Sequence, residues 1–268
     1  MRFIRTTLLT LTLAFSMTGC IVTDNGLIWL GEEVPGSGTI ISEQRAIDGV
    51  QNIRLSTVGH ATVRIGDKDE IIIETDDNLL PYIETRVSNG TLTISTKSGY
   101  NVRGTAGIRY SITVRALRGV ASSSSGDITV LPLSTDRLEI SASSSGDILL
   151  ENVEAEFTDI SSSSSGDISI GTFRGDEIDG RLSSSGDLRI EGGEVFRQRV
   201  RISSSGSYDG RELRSRDADI RTSSSGDARV WVTDRLRAST SSSGSIYYRG
   251  DPRVDAQSSS SGKVKHVS

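Results

Sequence analysis

A single cysteine, Cys20, occurs in the 268 residues, so no intrachain disulfide can form. In an exported chain such a thiol is free, paired in trans or modified. Histidine is scarce as well: His60 and His266 stand near opposite ends of the chain. Aromatic residues make up 5% and proline only four positions, against 28 glycines. Few aromatics with abundant serine and glycine would suit a disordered chain. The apolar residues, however, recur in short alternating runs, which implies a packed but thin core. A formal charge of −5 argues against a nucleic-acid partner, whose binders are usually strongly basic.

The first nineteen residues read as a targeting segment. Arg2 and Arg5 form a positive start, Leu8 to Phe15 is apolar but for threonine, and a small-residue site follows. The run is too short to span a bilayer, which needs roughly 20 apolar residues. Met17-Thr18-Gly19-Cys20 resembles a bacterial lipobox, which implies cleavage before Cys20 and lipid attachment there. Ile21, in place of aspartate, implies sorting to the outer membrane by the same resemblance. Several acyl chains anchor stably where one would not. Removing Arg2 and Arg5 takes the formal charge from −5 to −7. Residues 20–38, with Gly26, Gly31, Pro35, Gly36 and Gly38, are expected to be a lipidated flexible tether.

Ser-Ser-Ser-Gly occurs eight times, with its glycines at Gly126, Gly146, Gly166, Gly186, Gly206, Gly226, Gly244 and Gly262. The spacing is 20 residues five times and then 18 twice. The leucine-rich pattern with its asparagine ladder is missing, and helical periodicity is not evident. Around each glycine the residues alternate: Leu138, Ile140, Ala142, Ser144, Gly146, Ile148 and Leu150 share one parity. Period two means strand, with this parity inward. The expected architecture is therefore all-β, a single-stranded right-handed parallel β-helix, or solenoid, with about 20-residue turns. Each turn spans roughly 66 Å of chain, and turns stack about 4.8 Å apart. The serine two before each glycine, as in Ser144, is expected to form an internal ladder. The glycines mark bends where a side chain would clash or where φ must be positive.

Residues 39–118 lack the serine motif but keep strand patterning over 52–55, 61–65, 70–75, 82–87, 91–95 and 108–115, with a turn signal at Asn89-Gly90. They are either the irregular start of the solenoid or a cap on its first end, and the regular repeats fill 119–268. Lys263 and Lys265 are the only lysines after Lys97, as suits a final edge strand that must resist end-to-end association.

Three constellations could carry chemistry. Asp127, Asp147, Asp167 and Asp187, with Asp227 beyond the break at Ser207, stack after the glycines. At 4.8 Å such carboxylates repel by about 0.9 kcal/mol per pair even in water. Either backbone N–H bonds offset this, or a shared cation does, calcium being the candidate. Outward serines such as Ser143 and Ser145 form a hydroxyl face, either a plain solvated strand surface with serine ladders or a surface for glycan contact. Charge is uneven along the chain: residues 121–180 hold twelve acids and two arginines, whereas 181–253 hold fourteen arginines and ten acids. Within the second stretch Arg197, Arg199 and Arg201 share one strand face. They form either a solvated face with cross-turn ion pairs or a contact for an acidic glycan or lipid phosphate. No free cysteine nucleophile and no cleft-forming loop are visible, so catalysis is not expected. The alternative is a polysaccharide-active β-helix enzyme.

The segments Arg45-Ala46-Ile47-Asp48-Gly49-Val50-Gln51-Asn52-Ile53, Glu74 through Ile83 and Asn89-Gly90-Thr91-Leu92-Thr93-Ile94, with the repeated Ser-Gly-Asp-Ile element, resemble the head GIN domain family over about residues 40–265. That family is also labelled an autotransporter-adhesin head. The resemblance implies a right-handed β-helix in a cell-envelope protein and transfers no catalytic residue. No membrane barrel follows the repeats, so the lipid is expected to hold the chain to the membrane. The combined expectation is a non-catalytic envelope lipoprotein with a β-helical surface for binding or scaffolding, its partner a glycan or an envelope protein.

Overall fold

A computed structural model describes residues 20–23, 26–29, 31–241 and 243–267, with side chains from residue 31 onward. The leader expected over 1–19 lies outside the described residues, and so does the side chain of Cys20. Among the described residues there is no α-helix, and none is long and apolar enough to cross a membrane.

One coil shows how the sequence builds the fold. In the strand Ile148–Ser162, Ile148 and Leu150 point in while Leu149 and Glu151 point out. Two neighbouring exposed residues then interrupt the alternation, at Glu151-Asn152 and again at Glu156-Phe157. A pleated strand cannot turn two successive side chains outward without bending. Each doublet is therefore a corner, and the serine motif at 163–166 is a third, so every coil has three short faces.

Coils stack in parallel at a register of 20. Ile148 pairs with Ile168, Val153 with Phe173 and Ile160 with Gly180. Equivalent positions therefore fall into columns. Ile128, Ile148, Ile168, Leu188, Tyr208 and Ala228 form one buried column through the stack. No coil can bury its apolar parity alone, so stability is shared between neighbours.

The repeat glycines stack as well. A Cβ on Gly146 would fall 2.1 Å from the Gly126 carbonyl oxygen, and one on Gly166 would fall 2.3 Å from that of Gly146. None of the eight has positive φ. Close approach of backbone to backbone is thus what demands glycine. The Gly166 N–H donates to the Ser144 carbonyl at 3.1 Å, and the same bond recurs up the corner.

The internal serine ladder needs correction. Ser144, Ser164, Ser184, Ser204 and Ser224 are only half-buried. They sit in the bend, where period two no longer directs a side chain inward. The Oγ of Ser164 donates instead to the Ser144 carbonyl of the previous coil. The inward position lies four residues before the glycine: Ser122, Ala142, Ser162, Leu182, Ile202 and Thr222 are all buried. There Ser122 Oγ donates to the Gly126 carbonyl at 2.9 Å.

Residues 39–118 prove to be both solenoid and cap. Asn52–Ser56 and His60–Ile65 form a coil on which Gly119–Ser122 and Asp127–Val130 stack in parallel. On its other side lie Thr91–Thr96 and Arg109–Val114, also parallel. The chain thus builds its second coil first, leaves to make the terminal one, and returns. Beyond that terminal coil the pairing turns antiparallel. Glu70–Asp76 runs against Arg109–Val114 and against Ile40–Ala46, and Ile83–Ser88 runs against Thr91–Thr96. The last hairpin closes at Asn89 and Gly90, whose φ of 49° and 73° suit that turn. Glu32–Pro35 pairs with Tyr100–Arg103, so the later part of the expected 20–38 tether is strand.

Asp76 clasps this cap. Its buried carboxylate accepts hydrogen bonds from Thr105 Oγ1 at 2.7 Å, the Thr105 N–H at 2.9 Å and the Gly38 N–H at 2.7 Å. The Thr105 hydroxyl foremost, and then these amides, hold its carboxyl below the usual carboxylate range despite burial. A group depressed in the folded state stabilises it above its ordinary pKa, and that contribution fades as pH falls through the folded value. Asp76→Asn should therefore lower the melting temperature clearly at pH 7, and the gap from the parent should narrow in acid. A gap of constant size across that range, by calorimetry, would discount the carboxylate.

At the other end, among the described residues, Arg253–Ser258 and Lys263–His266 each pair on one side only. Lys263 and Lys265 are exposed on this last strand.

Candidate functional site

The aspartate column is tied into the backbone. The Asp147 N–H donates to Asp127 Oδ1 at 2.9 Å, Asp167 to Asp147 at 2.8 Å and Asp187 to Asp167 at 2.8 Å. Ser207 keeps the bond and adds its hydroxyl, 2.8 Å from Asp187 Oδ1. Each carboxylate thus satisfies an amide of the next coil, which offsets the mutual repulsion. Among the described residues no three His, Cys, Asp or Glu side chains gather as a metal centre would require.

Arg197, Arg199 and Arg201 do share one face, but acids interleave with the first two, whereas Arg201 stands between Arg181 and Arg221. Register sets Arg197 between Glu177 and Asp217, and Arg199 between Asp179 and Asp219. Arg199 Nη1 lies 2.6 Å from Glu177 Oε1, and Arg201 Nη1 lies 3.3 Å from Asp179 Oδ1. Arg235 and Arg237 continue the alternation opposite Asp217 and Asp219. Each such surface pair stabilises by about 0.2–1 kcal/mol. The stripe is one member of a charge-compensated lattice rather than a lone patch of positive charge.

The departure from uniformity lies on another face, where the coil length changes from 20 to 18. Gly210 pairs with Val230, yet Arg214 pairs with Trp231 and Asp217 with Arg235. Two residues are lost there, and Trp231 takes the place that arginine or glutamate holds below. The outward column reads Glu154, Arg174, Glu194, Arg214, Trp231 and Arg249. Beside it stand Asp176, Phe196 and Arg216, and with Arg174, Glu194, Arg214 and Trp231 they border a groove of about 920 Å³. Gly175, Val195 and Ser215 lie low between them. A Cβ on Gly175 would fall 1.8 Å from the Ala155 carbonyl oxygen, so backbone contact between coils excludes a side chain there. Phe196 is 44% exposed, with the Arg216 guanidinium 5.2 Å from its ring centre. The Arg249 guanidinium stacks 3.9 Å from the Trp231 ring.

A buried polar network supports the groove from inside. Tyr208 Oη donates to Gln198 Oε1 at 2.7 Å, Gln198 Nε2 donates to Ser215 Oγ at 2.7 Å, and Ser215 Oγ donates to the Trp231 carbonyl at 2.9 Å. Burial pushes the Tyr208 phenol well above its ordinary range, so it remains a donor. Sequence reading missed both groove and network. The change of glycine spacing from 20 to 18 was the available signal, but spacing does not say which corner loses the residues.

The family described as "Putative auto-transporter adhesin, head GIN domain" matches residues 50–252. A crystal structure described as a "putative adhesin" from Parabacteroides merdae superposes with a TM-score of 0.82 at 23% identity, covering 88% of this chain and 100% of that one. A "putative lipid binding protein" from Parabacteroides distasonis gives 0.83 at 24% identity with the same coverage. A "putative adhesin" from Bacteroides fragilis gives 0.66 at 20%, covering 87% and 100%. At these identities the likeness is one of fold. No curated protein matches the chain.

Proposed function

The chain belongs to the head GIN domain family, and from that premise we propose that it is a non-catalytic, lipid-anchored protein of the cell envelope whose solenoid wall binds an extended partner. One observation carries the reading: parallel stacking repeats the outward side chains as columns. The exposed serines Ser143, Ser163, Ser183, Ser203 and Ser223 stand one per coil at the same corner. A repeating surface suits a repeating partner, because each further coil adds a contact without new diffusional cost. A glycan polymer of the envelope or of a neighbouring cell has that character.

The anchor is Cys20, which the lipobox resemblance marks for acylation, and Ile21 after it directs the chain to the outer membrane. On expression of the full chain in a Gram-negative host, the parent should partition with membranes and detergent phase. Cys20→Ala should shift it to the soluble fraction. A variant that still fractionates with the outer membrane would remove the lipid from this account. The binding role is tested by retention of the parent on immobilised envelope polysaccharides, without release of shortened products.

A further inference from the structure

We infer that the groove bordered by Arg174, Phe196 and Trp231 is a binding site for an uncharged oligosaccharide. This deepens the reading of the wall as a binding surface and rests on it. The groove is the place where an otherwise uniform coil breaks register, and the break sets Trp231 in line with Arg214. Its charges cancel: Arg174, Arg214 and Arg216 face Asp176, Glu194 and Glu212. One of these pairs is in contact, Arg214 with Glu194 at 3.4 Å, and Glu212 is met from outside the groove by Arg249 at 3.7 Å. A strongly anionic or cationic ligand therefore meets no net field.

The same groups suit a polyol. Hydroxyls both donate and accept, and paired guanidinium and carboxylate edges offer both kinds of partner. The C–H face of a pyranose needs a flat apolar surface, and the chain, poor in aromatics, exposes Phe196 at 44% beside this groove. The volume of about 920 Å³ lies within the range of ligand sites. From the Arg174 coil to the Trp231 coil is three steps, or roughly 14 Å at about 4.8 Å each. That length favours a short oligosaccharide over a single ring. The floor is rigid, since Ser215 is hydrogen-bonded to both Gln198 and the Trp231 carbonyl, which limits the ordering cost of binding.

The test uses the full chain in a detergent without a sugar headgroup. Tryptophan fluorescence follows Trp231, with Trp29 as the one other tryptophan. Maltotetraose, cellotetraose, chitotetraose and mannotetraose serve as uncharged probes and tetragalacturonate as the anionic one. Saturable binding of at least one uncharged tetramer is expected, weakened at least tenfold by Phe196→Ala and by Arg174→Ala. Arg199→Ala, on the ion-paired face, should leave it unchanged. Both groove residues are on the surface, so melting curves near the parent's are expected and are checked. Binding untouched by either groove variant, binding of tetragalacturonate alone, or no binding of any tetramer at millimolar concentration would each overturn the groove assignment. In those cases, retention of the parent on immobilised polysaccharide shows whether the wall reading still stands, because that assay does not depend on this groove.

Discussion

Gly166→Ala should destabilise the protein by about 3 kcal/mol, at the upper end of what overpacking costs. Its Cβ would sit 2.3 Å from the Gly146 carbonyl oxygen and 2.8 Å from that of Ser144. Neither neighbour is a side chain that can swing aside. Both are backbone of the coil below, and the Gly166 N–H is bonded to that same Ser144 carbonyl. Relief requires prying two coils apart at the serine corner, which also stretches the aspartate bonds beside it. Gly192→Ala is the matched control, because a Cβ there meets nothing nearer than the Gly171 carbonyl oxygen at 3.9 Å. That change should fall within about 1 kcal/mol of the parent, and could stabilise by restricting the unfolded chain. Urea unfolding of both variants decides the matter. Equal losses would mean that the corner glycines are not held by contact between coils.

Gln198→Leu should cost about 3 kcal/mol, through buried groups left without partners. Gln198 is fully buried and bonds at both ends, to the Tyr208 hydroxyl and to Ser215 Oγ. Leucine fills similar space but leaves the tyrosine hydroxyl with nothing to donate to. Tyr208→Phe alone should cost less, about 1–2 kcal/mol, since it strands only the Gln198 amide oxygen. In the double variant the two stranded groups disappear together. Its loss should therefore be smaller than the sum of the single losses by about 1 kcal/mol or more. Additive losses in equilibrium unfolding would show that the two side chains do not act as one unit.

These sites differ in how far they could be read beforehand. The glycine column was legible because eight copies of one motif recur at nearly constant spacing, and stacked equivalents must then be neighbours. The early strands were legible too, for their alternation is local: the expected 91–95 and 108–115 appear as Thr91–Thr96 and Arg109–Val114. Their order in space was not. Nothing local states that 52–65 lies between 91–114 and 119–130, because that order follows from which edges need covering. The serine ladder failed where period two was carried through a bend. Ser144 keeps the parity of Ile140 and Ile148, yet it lies at a corner where the chain no longer runs as a pleated strand. The arginines of the stripe lie on one face, but their acidic partners come from neighbouring coils, which no local pattern names.

By itself the amino-acid order determined that this chain coils, with what period, and which parity of its strands turns inward. Those are properties of each repeat and its nearest copy. The tertiary structure alone decided that the first end closes with antiparallel strands clasped by Asp76, and that a groove lies beside Trp231, where Val230 to Arg235 is two residues shorter than the facing Gly210 to Asp217. Both depend on how several coils meet, and a register break is visible only against the neighbour with which it is out of step.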